Sequence, residues 1–434
     1  MRDAGRQLQS VAEELWGTGL PLRLRAWDGS EAGPPGGPVL VVRNRRALRR
    51  LLFKPGELGL ARAWVAGDLE VEGDLYAALA LLSGLIWERG EDTGGSRSLG
   101  AALREPGVRA AVRRLVALAR PLLPPAPPAE ERRRPGLLHR HTRRSDRQAI
   151  GHHYDVGNDF YALVLGPSMV YSCAYWGGPE DTLEAAQRDK LELVCRKLGM
   201  RPGMRLLDVG CGWGSMAIHA AREHGVRVVG VTLSAEQAAF ARKRVADAGL
   251  TDRVEIRVQD YRDVADGPFD AISSIGMAEH VGAAHYLEYA RTLHGLLVPG
   301  GRLLNHQIAR PPQHDEDAYQ VDAFIDAYVF PGGELAPVGT TTGLLEEAGF
   351  EVRDLESLRE HYALTLRGWV ANLEREWRRA LALTTPGRAR VWRLYMAASA
   401  LAFESGQLGV NQVLAVRAAD GGGSGLPLRT RDWR

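Results

Sequence analysis

Arg205-Leu-Leu-Asp-Val-Gly-Cys-Gly-Trp-Gly-Ser215 runs from apolar residues into an acid, then through glycines at alternate positions, and on into helical spacing as far as His224. A strand that turns sharply into a helix reads this way, because glycine adopts left-handed backbone freely and lets a ligand approach the main chain. The glycines alone would equally fit a bare tight turn. Outward from this stretch the chain alternates strand-like runs with amphipathic helices. The runs are Arg227-Val-Val-Gly-Val231, Val254-Glu-Ile-Arg-Val258, Phe269-Asp-Ala-Ile-Ser273 and Gly301-Arg-Leu-Leu-Asn305, with a helix at Ala235 to Ala248. This alternation predicts an α/β fold of Rossmann-like type, a mostly parallel sheet with helices on both faces.

The glycine spacing narrows the ligand. Dinucleotide sites use Gly-x-Gly-x-x-Gly to seat a pyrophosphate on a helix N-terminus. Here Gly210, Gly212 and Gly214 follow Asp208, an acid that repels a pyrophosphate but suits the ammonium group of S-adenosylmethionine. The expectation is therefore a class I S-adenosylmethionine methyltransferase with a seven-stranded sheet. Asp260-Tyr261, after the third strand, stands where this fold sets an acid against the adenine amino group. The second strand ends in Val231-Thr-Leu-Ser234 with no acid for the ribose, and Thr232, Ser234 and Gln237 offer neutral hydrogen bonds in its place.

The chain has 434 residues, 45% of them hydrophobic, which is ample for packed cores. A net charge of +2, from 55 basic and 53 acidic residues, gives no general argument for nucleic-acid binding. Cys173, Cys195 and Cys211 show neither disulfide pairing nor metal-ligand spacing, so no metal is expected. The first residues lack the apolar core of a signal peptide, and no stretch approaches the roughly 20 apolar residues of a membrane span. A cytoplasmic setting is expected. Residues 1–123 read as a smaller α+β domain, with strands at Pro21–Trp27 and Val39–Arg43, each followed by helix. Residues 124–147 read as a Pro/Arg-rich linker and 148–418 as the catalytic domain. That domain carries a helical insertion at about 311–405, with helices at Leu366–Leu383 and Gly387–Glu404, and a late strand at Gln412–Val416. Residues 419–434 read as a flexible tail.

Further segments are His153-Tyr-Asp-Val-Gly-Asn-Asp-Phe160, Met169-Val-Tyr-Ser-Cys-Ala-Tyr-Trp176, Gln187-Arg-Asp-Lys-Leu191, Val231-Thr-Leu-Ser-Ala-Glu-Gln237 and Gly276-Met-Ala-Glu-His-Val-Gly282. With the glycine loop, and in this order, they resemble the cyclopropane-fatty-acyl-phospholipid synthase family, which includes the mycolic acid cyclopropane synthases and related fatty acid methyltransferases. The resemblance is dense over 150–310 and looser to about 416. Pro55 to Gly73 also looks like the extra N-terminal domain of the full-length bacterial synthases, which favours an acyl-phospholipid substrate.

The resemblance implies cofactor contacts at Tyr171 and Ser172 besides the loop. It also implies a bound bicarbonate base held by Cys173, Glu279, His306, the Ile308 backbone and Tyr362. The residue types suit that task, since Glu279 can take a proton while His306 and Tyr362 can donate hydrogen bonds. Taken singly, His306 reads as a core histidine, Tyr362 as a packing tyrosine and Cys173 as a buried filler. Many members of the family carry a cysteine in the late helix; Ser399 stands there in this chain, so a thiol at that place is not essential.

An isolated cis alkene is a weak nucleophile, and its attack on a sulfonium methyl leaves a carbocation that needs a dry pocket with aromatic faces. Where the proton then leaves decides the product. A hydride shift before proton loss gives a methylene-branched chain, and a flavin- or NADPH-dependent reductase partner would be needed to saturate it. Proton loss from the incoming methyl group gives a cyclopropane instead. The arginine- and alanine-rich composition points to a GC-rich genome, and relatives in such bacteria make 10-methyl fatty acids, so the methylene branch is expected, with the ring as alternative. A lipid-binding partner without catalysis is a remote third reading. The expected partners are an oleoyl-type unsaturated phospholipid, a second copy in a homodimer, and the inner face of the membrane. Seven arginines among Arg132 to Arg147 would contact that face peripherally, at roughly 1 kcal/mol each; a solvated basic linker accounts for them equally well.

Overall fold

A computed structural model describes residues 3–86, 106–132, 156–316 and 319–429. The chain divides into two compact units. The first comprises Met1–Arg133, Ala323–Val329 and Thr385–Leu401; the second comprises Arg134–Asp322, Phe330–Thr384 and Ala402–Arg434.

The first unit is built on a four-stranded sheet of β1 (Arg23–Arg25), β2 (Glu31–Ala32), β3 (Val39–Val42) and β4 (Leu69–Glu72), in the order β2-β1-β3-β4. β1 and β3 are parallel and the other pairs antiparallel. A helix was expected after β1, but the chain instead turns at Asp28-Gly29 and returns as β2. Gly33-Pro-Pro-Gly-Gly-Pro38 then carries it to β3, with Gly33, Gly36 and Gly37 at positive φ. Prolines lacking an N–H, beside glycines in left-handed conformations, cannot sustain a helix. Leu24, Val42, Leu48, Ala63 and Leu69 form the core of this unit. Beside it the buried Asp68 carboxylate accepts from Asn44 Nδ2 (2.8 Å), Arg46 Nε (3.1 Å) and Arg50 Nε (2.9 Å).

The expected linker is described as far as Arg132, and that part is held within the first unit. Arg50 Nη1 donates to the Ala126 carbonyl (2.8 Å), and Arg62 grips Glu131 through Nε (2.6 Å) and Nη2 (2.5 Å). Tyr328 donates to the same glutamate (2.9 Å), and the Arg132 amide to the Ala327 carbonyl (2.9 Å). The arginine-rich stretch 133–147 lies outside the described residues. The expected insertion at 311–405 is divided between the units, because Ala323–Val329 and Thr385–Leu401 fold with the first. Trp64 Nε1 donates to the Arg390 carbonyl (2.9 Å), and Arg390 Nη2 to Glu70 (3.0 Å).

The second unit contains β5 (Arg205–Val209), β6 (Arg227–Thr232), β7 (Val254–Val258), β8 (Phe269–Ile275), β9 (Leu297–Ala309), β10 (Glu351–Ser357) and β11 (Gly409–Val416). Their order is β10-β11-β9-β8-β5-β6-β7. The pairs from β7 to β9 are parallel, and β11 enters antiparallel between β9 and β10. β9 has 13 residues, more than the expected five, because β8 and β11 pair along its two edges. The helix expected at Leu366–Leu383 is two, Arg359–Arg375 and Trp377–Leu383, separated at Glu376.

Successive side chains of a strand take opposite faces of the sheet. Leu206 therefore packs with Val228, Ile256 and Met216, whereas Leu207 packs with Phe269, Ile272 and Leu293. Strand order reverses between β5 and β8, which opens a crevice at their carboxyl ends, the usual ligand position in open α/β sheets. No helix among the described residues is long and apolar enough to cross a membrane.

Replacing Asp68 with alanine leaves the buried Arg50 guanidinium without its carboxylate, a loss of about 3 kcal/mol. Calorimetry of the full chain should show a lowered first unfolding transition; an unchanged transition would refute the buried pair as a stabilising contact.

Candidate active site

The turn after β5 is shaped by its glycines, with φ of 76° at Gly210, 52° at Gly212 and 80° at Gly214. The amides of Gly210 and Cys211 both donate to the Val231 carbonyl (3.0 Å each), which fixes the loop to the end of β6. A Cβ on Gly214 would stand 3.2 Å from Ala241 Cβ, whereas one on Gly212 would meet nothing within 4 Å. Gly214 thus closes the loop onto a helix, while Gly212 faces open space. Below them Asp208 is only 2% exposed. Its Oδ1 accepts from Ser273 Oγ (2.7 Å), and its Oδ2 is buried without a hydrogen-bond partner. Burial raises its pKa to about 6, against the opposing influence of Ser273 and Lys190. A buried carboxylate with a free oxygen beside an open glycine turn fits a ligand that carries an ammonium group.

Lys190 is the residue that sequence reasoning missed. It is 1% exposed on the Leu183–Leu198 helix and donates from Nζ to Ser172 Oγ (3.0 Å). Gln187, one turn earlier, donates to the Ser172 carbonyl (2.9 Å). Burial lowers the Lys190 pKa to about 8, so it is mostly charged at neutral pH. Its charge acts on Asp208, Cys173 and His306, and so couples the glycine turn to the second half of the site. The available signal was a glutamine and a lysine one helical turn apart within an otherwise apolar face.

That second half lies where β8, β9 and β11 run side by side. Glu279 follows β8, and its Oε1 accepts from the Ile308 amide on β9 (2.8 Å). Its Oε2 is buried without a partner, and burial raises the carboxyl pKa to about 7. His306 pairs across the ladder with Gln412 and is 2% exposed. Gln412 Nε2 lies 3.3 Å from Nδ1, and a hydrogen bond donated there would leave the imidazole proton on Nε2, which is also buried without a partner. Burial and the charges of Lys190 and Lys197 hold His306 well below its ordinary pKa, hence neutral. Asn305 and Gln307 alternate to the opposite face. There Gln307 Oε1 accepts from Asn305 (2.7 Å) and Tyr286 (2.9 Å), and Gln307 donates to Thr341 (2.9 Å).

Cys173 is fully buried and donates weakly to the carbonyls of Ala174 (3.2 Å) and Leu358 (3.6 Å). Burial drives its pKa well up, so it remains a thiol. The Leu358 carbonyl also accepts from the Tyr362 amide (3.1 Å), which joins these two expected site residues. Tyr362 lies on Phe403 (4.7 Å between ring centres) and edge-on to Trp369 (6.0 Å). Trp369 in turn meets Tyr171 (5.4 Å), so aromatic faces line this side.

Other expected contacts are engaged differently. Both oxygens of Asp260 are gripped by Arg262, from Nε (2.8 Å) and Nη2 (2.6 Å), so its carboxylate is tied to a guanidinium. Tyr261 packs edge-on to Tyr289 (5.4 Å). Thr232 donates to Gln237 Oε1 (2.9 Å), and Ser234 caps the following helix by accepting from the Gln237 amide (3.2 Å). The Ile308 amide is spent on Glu279, so it orients that carboxylate. His153 to Asp155 lie outside the described residues.

The reversed sheet order, the glycine turn and the buried acid beneath it define a class I S-adenosylmethionine-dependent methyltransferase. A family model described as mycolic acid cyclopropane synthetase matches residues 141–413. The chain belongs to that family. It is 46% identical to a probable fatty acid methyltransferase of Mycobacterium tuberculosis, over 97% of each chain. It is 34% identical to the tuberculostearic acid methyltransferase of the same organism, over 92% of this chain and 88% of that one. A solved mycolic acid cyclopropane synthase complexed with SAH and CTAB matches with a TM-score of 0.59 at 34% identity, covering 62% of this chain and 98% of that chain.

Removing the Lys190 charge should move protonation of Asp208 to higher pH and weaken its hold on an ammonium group. Titration calorimetry with S-adenosylhomocysteine should show wild-type affinity falling below about pH 6. In Lys190→Met the fall should begin nearer neutrality, with roughly tenfold weaker binding at pH 6.5, or about 1.4 kcal/mol. Identical pH profiles would remove Lys190 from the site.

Proposed function

We propose that this enzyme adds a one-carbon unit from S-adenosylmethionine to the cis double bond of an unsaturated phospholipid acyl chain, giving a methylene-branched product. The observation that carries this reading is that Glu279, bonded to the Ile308 amide of β9, and His306, two residues earlier on the same strand, each keep a buried polar atom without a partner, Oε2 and Nε2. When bound, the cofactor supplies an electrophilic methyl group on a positively charged sulfur. Asp208 would hold its ammonium group, with Tyr171, Ser172, Gly210, Gly212, Gly214, Thr232, Ser234, Gln237, Asp260 and Tyr261 around the rest.

The chain's own residues then have three tasks. Tyr362, Phe403 and Trp369 exclude water and present ring faces to a cation on the acyl chain. Glu279, half ionised near pH 7, is the final acceptor of the departing proton at Oε2. His306 stays neutral and offers its Nε2 proton as a hydrogen bond. A bicarbonate ion fits the same donors and acceptor: His306 and Tyr362 would hold it against Glu279, beside Cys173 and Ile308, and it would supply the immediate base.

The choice of a methylene branch over a ring rests on which relatives match throughout. Those named fatty acid methyltransferases align along nearly all of the chain, whereas the solved cyclopropane synthase covers 62% of it. Cyclopropane formation at the same site is the second reading, favoured by the family model. A separate flavin- or NADPH-dependent reductase would complete a methyl branch, and the enzyme would work as a dimer at the cytoplasmic face of the membrane.

Expression in a bacterium rich in oleoyl phospholipids, followed by mass spectrometry of the fatty acids, tests the product. Both candidates add one CH2, but only the methylene branch keeps an alkene that ozone cleaves, and only it is saturated when a flavin reductase is co-expressed. An ozone-resistant product would establish the ring, and unmodified lipid would sink the catalytic reading.

Because Glu279 must be ionised to take a proton, activity should climb with pH through about 7. Glu279→Gln should lower it by roughly 10²-fold or more and abolish that dependence; full activity in this variant would overturn the assignment. The raised pKa also means that the folded state holds this proton more tightly than the unfolded one. The glutamate's contribution to stability should therefore decline as pH rises from 4.5 to about 7.

A further inference from the structure

Away from the crevice, two helices of the second unit bring four ligand-type side chains together. Glu192 and Cys195 sit one turn apart on Leu183–Leu198, and His219 and His224 lie on Ser215–His224. Glu192 Oε2 is 2.9 Å from His224 Nε2 and 3.3 Å from His219 Nε2. One ligand atom each from Cys195, His219 and His224 lies within 4.8 Å of the others. Arg196 Nε donates to Glu192 Oε1 (2.8 Å), which leaves Oε2 turned to the histidines. Cys195 is fully buried and both histidines are mostly buried, so these groups face one another more than solvent.

We propose that Cys195, His219 and His224, with Glu192 beside the two histidines, form a binding site for a soft divalent transition-metal ion, zinc above all. Tetrahedral zinc at about 2.3 Å from sulfur and about 2.1 Å from nitrogen sets its ligand atoms about 3.5 Å apart, so small side-chain rotations close this cluster around an ion. The His-x4-His pair has the spacing found in zinc sites, and Cys195 adds a sulfur donor from the neighbouring helix. Comparing cysteine only with cysteine along the chain hides it, because the partners are histidines on another helix. Sulfur and imidazole donors disfavour calcium and magnesium. On binding, the Cys195 thiol releases its proton to solvent and forms the sulfur–metal bond. The histidines bind through Nε2 lone pairs and keep their remaining proton on Nδ1, and no electron is exchanged.

The position gives the ion a purpose. The first helix carries Gln187 and Lys190 against Ser172, and the second begins at Gly214 of the glycine turn. An ion between them would clamp the two supports of the cofactor crevice at their far ends.

The test is a cobalt titration of the full chain after chelator treatment, read by absorbance. One equivalent should produce a near-ultraviolet thiolate-to-cobalt band with the visible bands of tetrahedral Co2+, and equimolar Zn2+ should displace it while Mg2+ does not. Cys195→Ser should erase the thiolate band. His224→Gln, at the more exposed of the two histidines, should weaken Zn2+ by roughly tenfold or more with an unchanged melting temperature in chelator. Absence of stoichiometric binding would overturn the proposal, as would Zn2+ binding that is indifferent to both substitutions.

Discussion

The hydrogen bond from Ser273 to Asp208 joins β5 and β8 where the sheet reverses its order. Two parallel strands whose crossovers leave in opposite directions open a crevice at their carboxyl ends, and this bond sets a carboxylate at its floor. Burial makes that charge costly, so the surroundings must either neutralise it or match it. Lys190 partly matches it from the neighbouring helix, and a ligand ammonium would complete the match. The glycine turn, the helix that begins at Gly214 and the segment around Ser172 are all arranged about this one buried anion.

The second half of the site follows from ladder register. His306 and Gln412 are cross-strand partners on the β11 edge of β9, and the Ile308 amide, two residues along β9, reaches Glu279 beyond the end of β8. An antiparallel strand inserted beside β9 therefore does chemical work as well as closing the sheet. It supplies the amide of Gln412 beside His306 Nδ1, while desolvation raises the Glu279 pKa to about 7 and keeps His306 uncharged. These are the protonation states that the proposed removal of one proton from a cation would require.

Much of the site was legible where chemistry is local. Asp208 and its glycines are contiguous, so their spacing can be read without any residue distant in the chain, and it favours an ammonium group over a pyrophosphate. Glu279, His306 and Tyr362 carried no such local mark and stood out only through resemblance, because their partners are distant in the chain. Lys190 carries no local mark either, since a lysine on a helix ordinarily points to solvent and only packing shows that this one does not. Asp260 shows the converse. Its place after the third strand marks it for adenine recognition, whereas the bonding of both its oxygens to Arg262 became visible only in the structure.

By itself the sequence determined the alternation of strand and helix, the turn at Gly210 to Gly214, and the class of cofactor, because those depend on residue periodicity and on backbone freedom at adjacent positions. Tertiary structure decided what depends on neighbours far apart in the chain. It assigned Ala323–Val329 and Thr385–Leu401 to the first unit through contacts such as Trp64 with Arg390, and it bent the expected helix after β1 into a hairpin. It also decided which polar groups are buried, and hence their protonation. The pKa values of Asp208, Lys190 and Glu279 follow from desolvation and nearby charge, which no short stretch of sequence contains.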